Sequence, residues 1–146
     1  MPDSANGKAA SAPIQKRKAL VVDDYMLIRR NHRALLEKFG FDVIESADGE
    51  EALKHLREAG PGSFHLMIVD LVMPVMNGAD LIALCRKEFG KTMPQIIVCS
   101  SVSELPIVKK IVALGIEGYL VKPIDYRLFI KKLNELFPDI PVHMAR

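Results

Sequence analysis

From Lys18 onward, short runs of apolar residues alternate with amphipathic stretches along the chain. Five runs read as strands, over residues 19–22, 41–45, 66–69, 96–99 and 118–121. Most are continuous, with Ala19-Leu20-Val21-Val22 and Leu66-Met67-Ile68-Val69 the clearest. A strand without polar alternation is buried on both faces, as in a parallel sheet covered by helices, whereas a half-exposed antiparallel sheet shows a period of two. The intervening stretches supply the helices. Ile28, Leu35 and Phe39 recur at helical spacing, as do Ile82, Cys85 and Phe89, and then Phe129, Leu133 and Leu136. Gly40 and Gly90 stand where left-handed caps end the first and third helices, and Asp48 introduces the second as a capping acid. The fourth helix is expected to begin near Ser103, the better of the nearby serines as a cap, and to end before Gly115.

Strands and helices in strict alternation describe βαβ units, hence an α/β fold with an open, doubly wound, five-stranded parallel sheet and five helices. Residues 1–16 are rich in Ala, Ser, Pro and Gly without periodicity and read as a flexible tail. Residues 17–137 form one domain, and 138–146 a short C-terminal tail. The 146 residues, 49% hydrophobic and 26% charged, suit a single compact domain with a real core. A net charge of +2 gives no broad electrostatic reason to bind nucleic acid or an anionic membrane. The clusters Lys16-Arg17-Lys18, Lys109-Lys110 and Lys131-Lys132 read as solvated faces, so no direct nucleic-acid contact is expected. Cys85 and Cys99 lie in apolar surroundings without metal-type spacing, as buried reduced thiols do. No signal-type segment opens the chain and no run approaches the roughly 18 to 20 apolar residues that span a bilayer, so a soluble, cytoplasmic protein without membrane contact is expected.

In an open parallel sheet, ligands gather beyond the carboxyl ends of the strands. The polar residues there are few: Asp23 and Asp24 after the first strand, Asp70 after the third, Ser100 after the fourth and Lys122 after the fifth. Three neighbouring carboxylates repel one another unless a cation compensates, and hard oxygen ligands with few protein contacts suit Mg²⁺, which often bridges a carboxylate to a phosphate. Each residue also has an ordinary role open to it. Asp23 and Asp24 could cap a helix, Asp70 could be a loop acid beside the turn Met73-Pro74, Lys122 could be solvated, and Ser100 or Ser101 could be a cap.

Taken together, Val21-Val22-Asp23-Asp24, Asp70-Leu71-Val72-Met73-Pro74 with Gly78, Ser100, and Gly118-Tyr119-Leu120-Val121-Lys122-Pro123 resemble the response regulator receivers of two-component signalling, over about residues 18 to 137. The resemblance implies a flavodoxin-like strand order 2-1-3-4-5, a choice that short right-handed crossovers also favour. It implies Asp70 as the acceptor of a phosphoryl group from a histidine kinase or phosphotransfer protein, hence a phosphorelay switch that assists its own phosphorylation and dephosphorylation more than an enzyme. It further implies that Asp24 and Asp70 bind Mg²⁺ directly, Asp23 mainly through water, and Val72 through its main-chain carbonyl. Lys122 pairs with a phosphoryl oxygen, Ser100 is the switch hydroxyl, Tyr119 is the aromatic residue that moves with it, and the Lys122-Pro123 bond is cis.

Val72 and Val102 are apolar where relatives are often polar, positions that tune attack of water on the aspartyl phosphate, so a long-lived phosphoryl group is expected. The fourth helix carries Leu105, Ile107, Val108, Ile111, Val112 and Leu114, more than one stripe. Core packing and an interface explain this equally well. If an interface, it joins the fifth strand and fifth helix in a face for a downstream protein or a homodimer. His32, His55, His65 and His143 lack metal-ligand spacing and read as surface or satisfied histidines. Two other functions stay in view. One is a receiver that docks constitutively, which the intact acids and Lys122 disfavour. The other is a flavin or nucleotide protein or a phosphatase, disfavoured because Asp23-Asp24-Tyr25 repels a ligand phosphate and no Asp-x-Asp pattern ends the first strand. About nine residues after the last helix are too few for an output domain, leaving a stand-alone receiver or a piece of a longer regulator.

Overall fold

A computed structural model describes residues 17–140, so the expected N-terminal tail over 1–16 and, of the expected C-terminal tail over 138–146, residues 141–146 with His143 lie outside the described residues. The elements follow as β1 (Lys18–Val22), α1 (Met26–Lys38), β2 (Asp42–Ser46), α2 (Gly49–Ala59), β3 (Leu66–Val69), α3 (Gly78–Phe89), a single 3₁₀ turn (Gly90–Thr92), β4 (Gln95–Ser100), α4 (Leu105–Val112), β5 (Gly118–Val121) and α5 (Tyr126–Leu136). All pairings are parallel and the strand order is β2-β1-β3-β4-β5. The doubly wound, flavodoxin-like α/β sheet is as expected, with β1, β2 and β4 displaced or lengthened by one residue at their ends.

The apolar strands fill both faces because successive side chains point to opposite sides. Leu20, Val22, Met67, Val69, Ile96 and Val98 pack on one face with Leu53 and Leu56 of α2, Leu81, Ile82 and Cys85 of α3, and Ile111 of α4. Ala19, Val21, Leu66, Ile68, Ile97 and Cys99 pack on the other with Leu36 and Phe39 beside α1 and with Phe129 and Leu133 of α5. Ile140, beyond α5, is also buried in this second cluster. Cys85 and Cys99 are free thiols on opposite faces, and burial pushes both up to about 12.

Local chemistry sets the helix ends. Asp48 accepts the Glu51 N–H at 2.8 Å, and Asn77 caps α3 by accepting the Asp80 N–H at 2.9 Å. Gly40 and Gly90 adopt φ of 92° and 54° after α1 and α3, conformations that favour glycine. The start of α4 departs from expectation. Ser103 does not cap it: the helix opens at Leu105 after Glu104, which makes no side-chain cap. Pro106 accounts for the shift, since its fixed φ suits the first helical turn and its missing N–H needs no partner there.

Candidate functional site

The register brings the strand ends level. Val22 lies beside Val69, Val69 beside Val98, and Ser100 beside Val121, so the residues that follow converge at one edge. Asp23 and Asp24 follow β1, Asp70 follows β3, Ser100 closes β4 and Lys122 follows β5. Carboxylate oxygens of Asp23, Asp24 and Asp70 all lie within 4.8 Å of one another, with Asp23 and Asp70 buried and Asp24 exposed. Neither acid beside β1 caps α1. Its N-cap is Tyr25, whose N–H donates to Asp23 Oδ1 at 2.9 Å.

Lys122 supplies the opposing charge. Its Nζ lies 2.8 Å from Asp23 Oδ2 and 3.4 Å from Asp70 Oδ2, with the side chain largely buried. Burial disfavours the ammonium, yet Asp23 and Asp70 outweigh it and hold its pKa above the ordinary lysine value. Burial is also the main reason the Asp70 carboxyl lies above the usual range; Lys122 pulls it down and Asp23 pushes it up. Asp70 is therefore a more basic carboxylate than a surface aspartate. The Lys122-Pro123 bond is cis.

The β3–α3 loop is folded tightly against Asp70. A side chain at Gly78 would place its Cβ 2.3 Å from the Asp70 carbonyl oxygen and 2.9 Å from Leu71 Cα, and the Gly78 N–H donates to the Leu71 carbonyl at 2.9 Å. Only glycine permits this approach. Val75, in the same loop, takes φ of 68° and is 72% exposed, a strained conformation for a β-branched residue. Val72 N–H reaches Asp70 Oδ1 at 3.4 Å while its side chain is 63% exposed.

Across the pocket, residue 102 joins the two candidate switch residues. The buried Ser100 Oγ accepts the Val102 N–H at 3.2 Å, and Tyr119 Oη donates to the Val102 carbonyl at 2.5 Å. Tyr119 is half-buried, its phenol held above the ordinary value mainly by burial. In α4 only Ile111 is buried; Leu105 is 62% exposed, and Ile107 and Val112 are exposed as well.

Two features of the surroundings escaped the sequence. His32 is neither a surface nor a satisfied histidine. It is 1% exposed, both ring nitrogens lack hydrogen-bond partners, and its ring packs edge-on against Tyr126 and Phe129. Its place on α1 facing α5 demands an apolar-sized side chain, and burial lowers its pKa to about 4. Arg29 donates from Nη1 to the Asp23 carbonyl and from Nε to Glu45 Oε1, both at 2.8 Å. An arginine on α1 and a glutamate on β2 carry no joint signature in spacing.

Three carboxylates presented together, two at the base and one open to solvent, match the oxygen donors and retained waters that Mg²⁺ requires. Among the described residues no helix is long and apolar enough to cross a membrane.

A family model described as "Response regulator receiver domain" matches residues 19–134. Chemotaxis protein CheY of Thermotoga maritima is 31% identical over 123 residues, 82% of this chain and 97% of that protein. The "Probable transcriptional regulator ycf27" of Porphyridium aerugineum is 38% identical over 112 residues, 75% of this chain, which spans only 43% of that longer protein. Among solved structures, chemotaxis protein CheY4 of Vibrio cholerae superposes with a TM-score of 0.73 at 30% identity, covering 84% of this chain and 99% of that one.

Proposed function

The chain belongs to the response regulator receiver family of two-component and chemotaxis signalling, and on that premise we propose that it is a phosphorylation switch with Asp70 as acceptor. The observation that carries this reading is the meeting of Asp23, Asp24 and Asp70 within 4.8 Å at a sheet edge where Lys122 arrives from another strand. The donor is a phosphohistidine of a kinase or phosphotransfer protein. An Asp70 Oδ forms a bond to phosphorus as the phosphorus–nitrogen bond breaks, and the imidazole departs with the electron pair and takes up a proton. Lys122, within reach of Asp70, donates to a phosphoryl oxygen.

Asp24 and Asp70 would hold Mg²⁺ directly, with Asp23 contributing mainly through water and Val72 through its main-chain carbonyl. When bound, the ion neutralises the charge of the three acids and the phosphoryl oxygens. The residues position reactants and stabilise charge; they turn over no separate substrate, so the protein is a switch that assists its own modification, working in the cytoplasm. The constitutive-docking alternative needs neither the acids nor Lys122 and gives no account of their convergence.

Switching runs through Val102. When Ser100 Oγ turns to the new phosphoryl group it releases the Val102 N–H, which loosens the loop whose carbonyl holds Tyr119 Oη. Tyr119 then moves inward and alters the face formed by α4, β5 and α5, where Leu105, Ile107 and Val112 are open to a downstream protein or a second copy. Val72 and Val102 offer only apolar side chains beside the acceptor, which supports a long-lived phosphoryl group; its lifetime should exceed that of Val72→Asn, and an equal lifetime would refute this part.

The decisive test is incubation with a small acyl-phosphate donor and Mg²⁺, followed by intact mass. Wild type gains one phosphoryl group and Asp70→Asn gains none. Failure of wild type to react, or equal labelling of Asp70→Asn, overturns the assignment.

A further inference from the structure

Asp23 has every polar group engaged. Its N–H donates to the Ser46 carbonyl at 3.1 Å, Oδ1 accepts from Tyr25 N–H at 2.9 Å, and Oδ2 accepts from Lys122 at 2.8 Å. Its carbonyl oxygen takes Arg29 Nη1 at 2.8 Å, the one hydrogen bond among the described residues to the peptide linking Asp23 to Asp24. Asp24 is exposed, so the direction of its carboxylate depends on that plane more than on packing. Arg29 is itself held. Its side chain is 14% exposed, and its Nε bonds Glu45 Oε1, a carboxylate 13% exposed that also accepts Arg33 Nη1 at 2.9 Å.

An unpaired cation beside three carboxylates would compete with a divalent ion for them. Glu45 accepts Arg29 Nε, but it also faces Arg33 at 2.9 Å and Arg30 at 3.7 Å, so it anchors Arg29 more than it cancels its charge. Anchored in this way, Arg29 is a directed donor with planar, fixed geometry. We propose that the Arg29–Glu45 pair is a positioning device for the metal site, fixing the Asp23–Asp24 peptide so that the Asp24 carboxylate meets those of Asp23 and Asp70. This rests on the reading of the three acids as a Mg²⁺ site given above.

Charge and positioning make opposite predictions. If Arg29 acted through charge, its removal would tighten Mg²⁺ binding, and salt would weaken the difference. If it positions Asp24, its removal weakens binding, and the loss persists in salt. The chain contains three tyrosines and no tryptophan, and Tyr25 adjoins Asp24, so Mg²⁺ can be titrated on the full chain by tyrosine fluorescence or calorimetry at low and high salt, with melting curves in EDTA to compare metal-free stability. For Arg29→Ala the Mg²⁺ dissociation constant is expected to rise roughly tenfold, the range found when groups that orient metal ligands are lost. Arg29→Lys, which keeps one donor for the Asp23 carbonyl, should recover part of the loss. Glu45→Gln, which frees Arg29 to shift while leaving an acceptor in place, should weaken binding by about threefold.

Unchanged or tighter Mg²⁺ binding in Arg29→Ala overturns the proposal. If Arg29→Ala does not fold, Glu45→Gln decides it by the same criterion. Wild type that fails to bind Mg²⁺ refutes the metal reading itself and the proposal with it, whereas wild-type binding with an unaffected Arg29→Ala refutes the positioning role alone.

Discussion

The two sides of the pocket are built to different standards. On the side of the proposed acceptor, all four residues of β3 are buried, α3 buries four residues, and Asp23 and Asp70 are fixed by backbone and side-chain contacts. On the other side, no residue of β5 is fully buried, α4 buries only Ile111, and Tyr119 is tied through its hydroxyl to one carbonyl. Transfer chemistry needs groups held in place before the reaction, while a switch needs an element with little stability to lose. One sheet offers both conditions because its central strand β3 is fully buried between two helix layers, while the edge strand β5, though α4 and α5 both touch it, is only half-buried.

The rigid side is most vulnerable at Gly78. An alanine there drives its Cβ to 2.3 Å from the Asp70 carbonyl, against backbone that cannot rotate away. Gly78→Ala is expected to cost about 3 kcal/mol in urea denaturation, near the upper range for overpacking, and to slow phosphoryl uptake by displacing Asp70. Wild-type stability in Gly78→Ala would mean that the acceptor side is as compliant as the switch side.

His32 lies at the seam, on α1 of the acceptor side but packed on Tyr126 and Phe129 of α5. Its folded pKa of about 4 is below the ordinary 6.5, so the unfolded chain binds the proton more readily between those values. Its contribution to stability is intact above about pH 6.5 and is lost as pH falls toward 4, by roughly 3 kcal/mol. His32→Leu should remove that part of the acid sensitivity, measured as the difference from wild type in denaturation at pH 7 and pH 4. Parallel pH profiles for the two proteins would show that the seam does not contribute.

What the sequence made legible follows the same division. Continuous apolar runs and chain-order motifs suffice where burial is complete, as over residues 19–22 and 66–69, and where parallel strand ends bring motif residues together, as with Asp23, Asp24, Asp70 and Lys122. They fail where the determinant is a contact between distant elements. Arg29 meets Glu45 across sixteen residues, and His32 is buried by an α5 surface that no local pattern encodes. The α4 start differs from the expectation at Ser103 because Pro106, which suits the first helical turn, sets the N-terminus at Leu105. Apolar excess in α4 could not separate core from surface either, since hydrophobicity alone does not say which side of a short helix is covered.

Val75 is an exception within the rigid side: a β-branched residue at positive φ, exposed, at the centre of a turn that the Met76 N–H closes on the Pro74 carbonyl at 2.7 Å. Val75→Gly tolerates the backbone of that turn and removes the steric cost, so it should raise stability by about 1 kcal/mol with phosphoryl uptake unchanged. Lower stability in the variant would show that the valine side chain makes a contribution its exposure conceals.

The smallest effect is expected on the other side. Tyr119→Phe removes one hydrogen bond from a half-buried hydroxyl to the Val102 carbonyl, at a cost of about 0.5 to 1 kcal/mol. That carbonyl lies in a loop with access to water, so it need not stay unsatisfied. The mechanical effect should exceed the energetic one. Residue 102 would then be held only through its N–H to Ser100 Oγ, and amide exchange in the β4–α4 loop should quicken without phosphate. If exchange there is unaltered while global stability falls by several kcal/mol, Tyr119 is a structural member of the core, and the softness assigned to this side of the pocket is wrong.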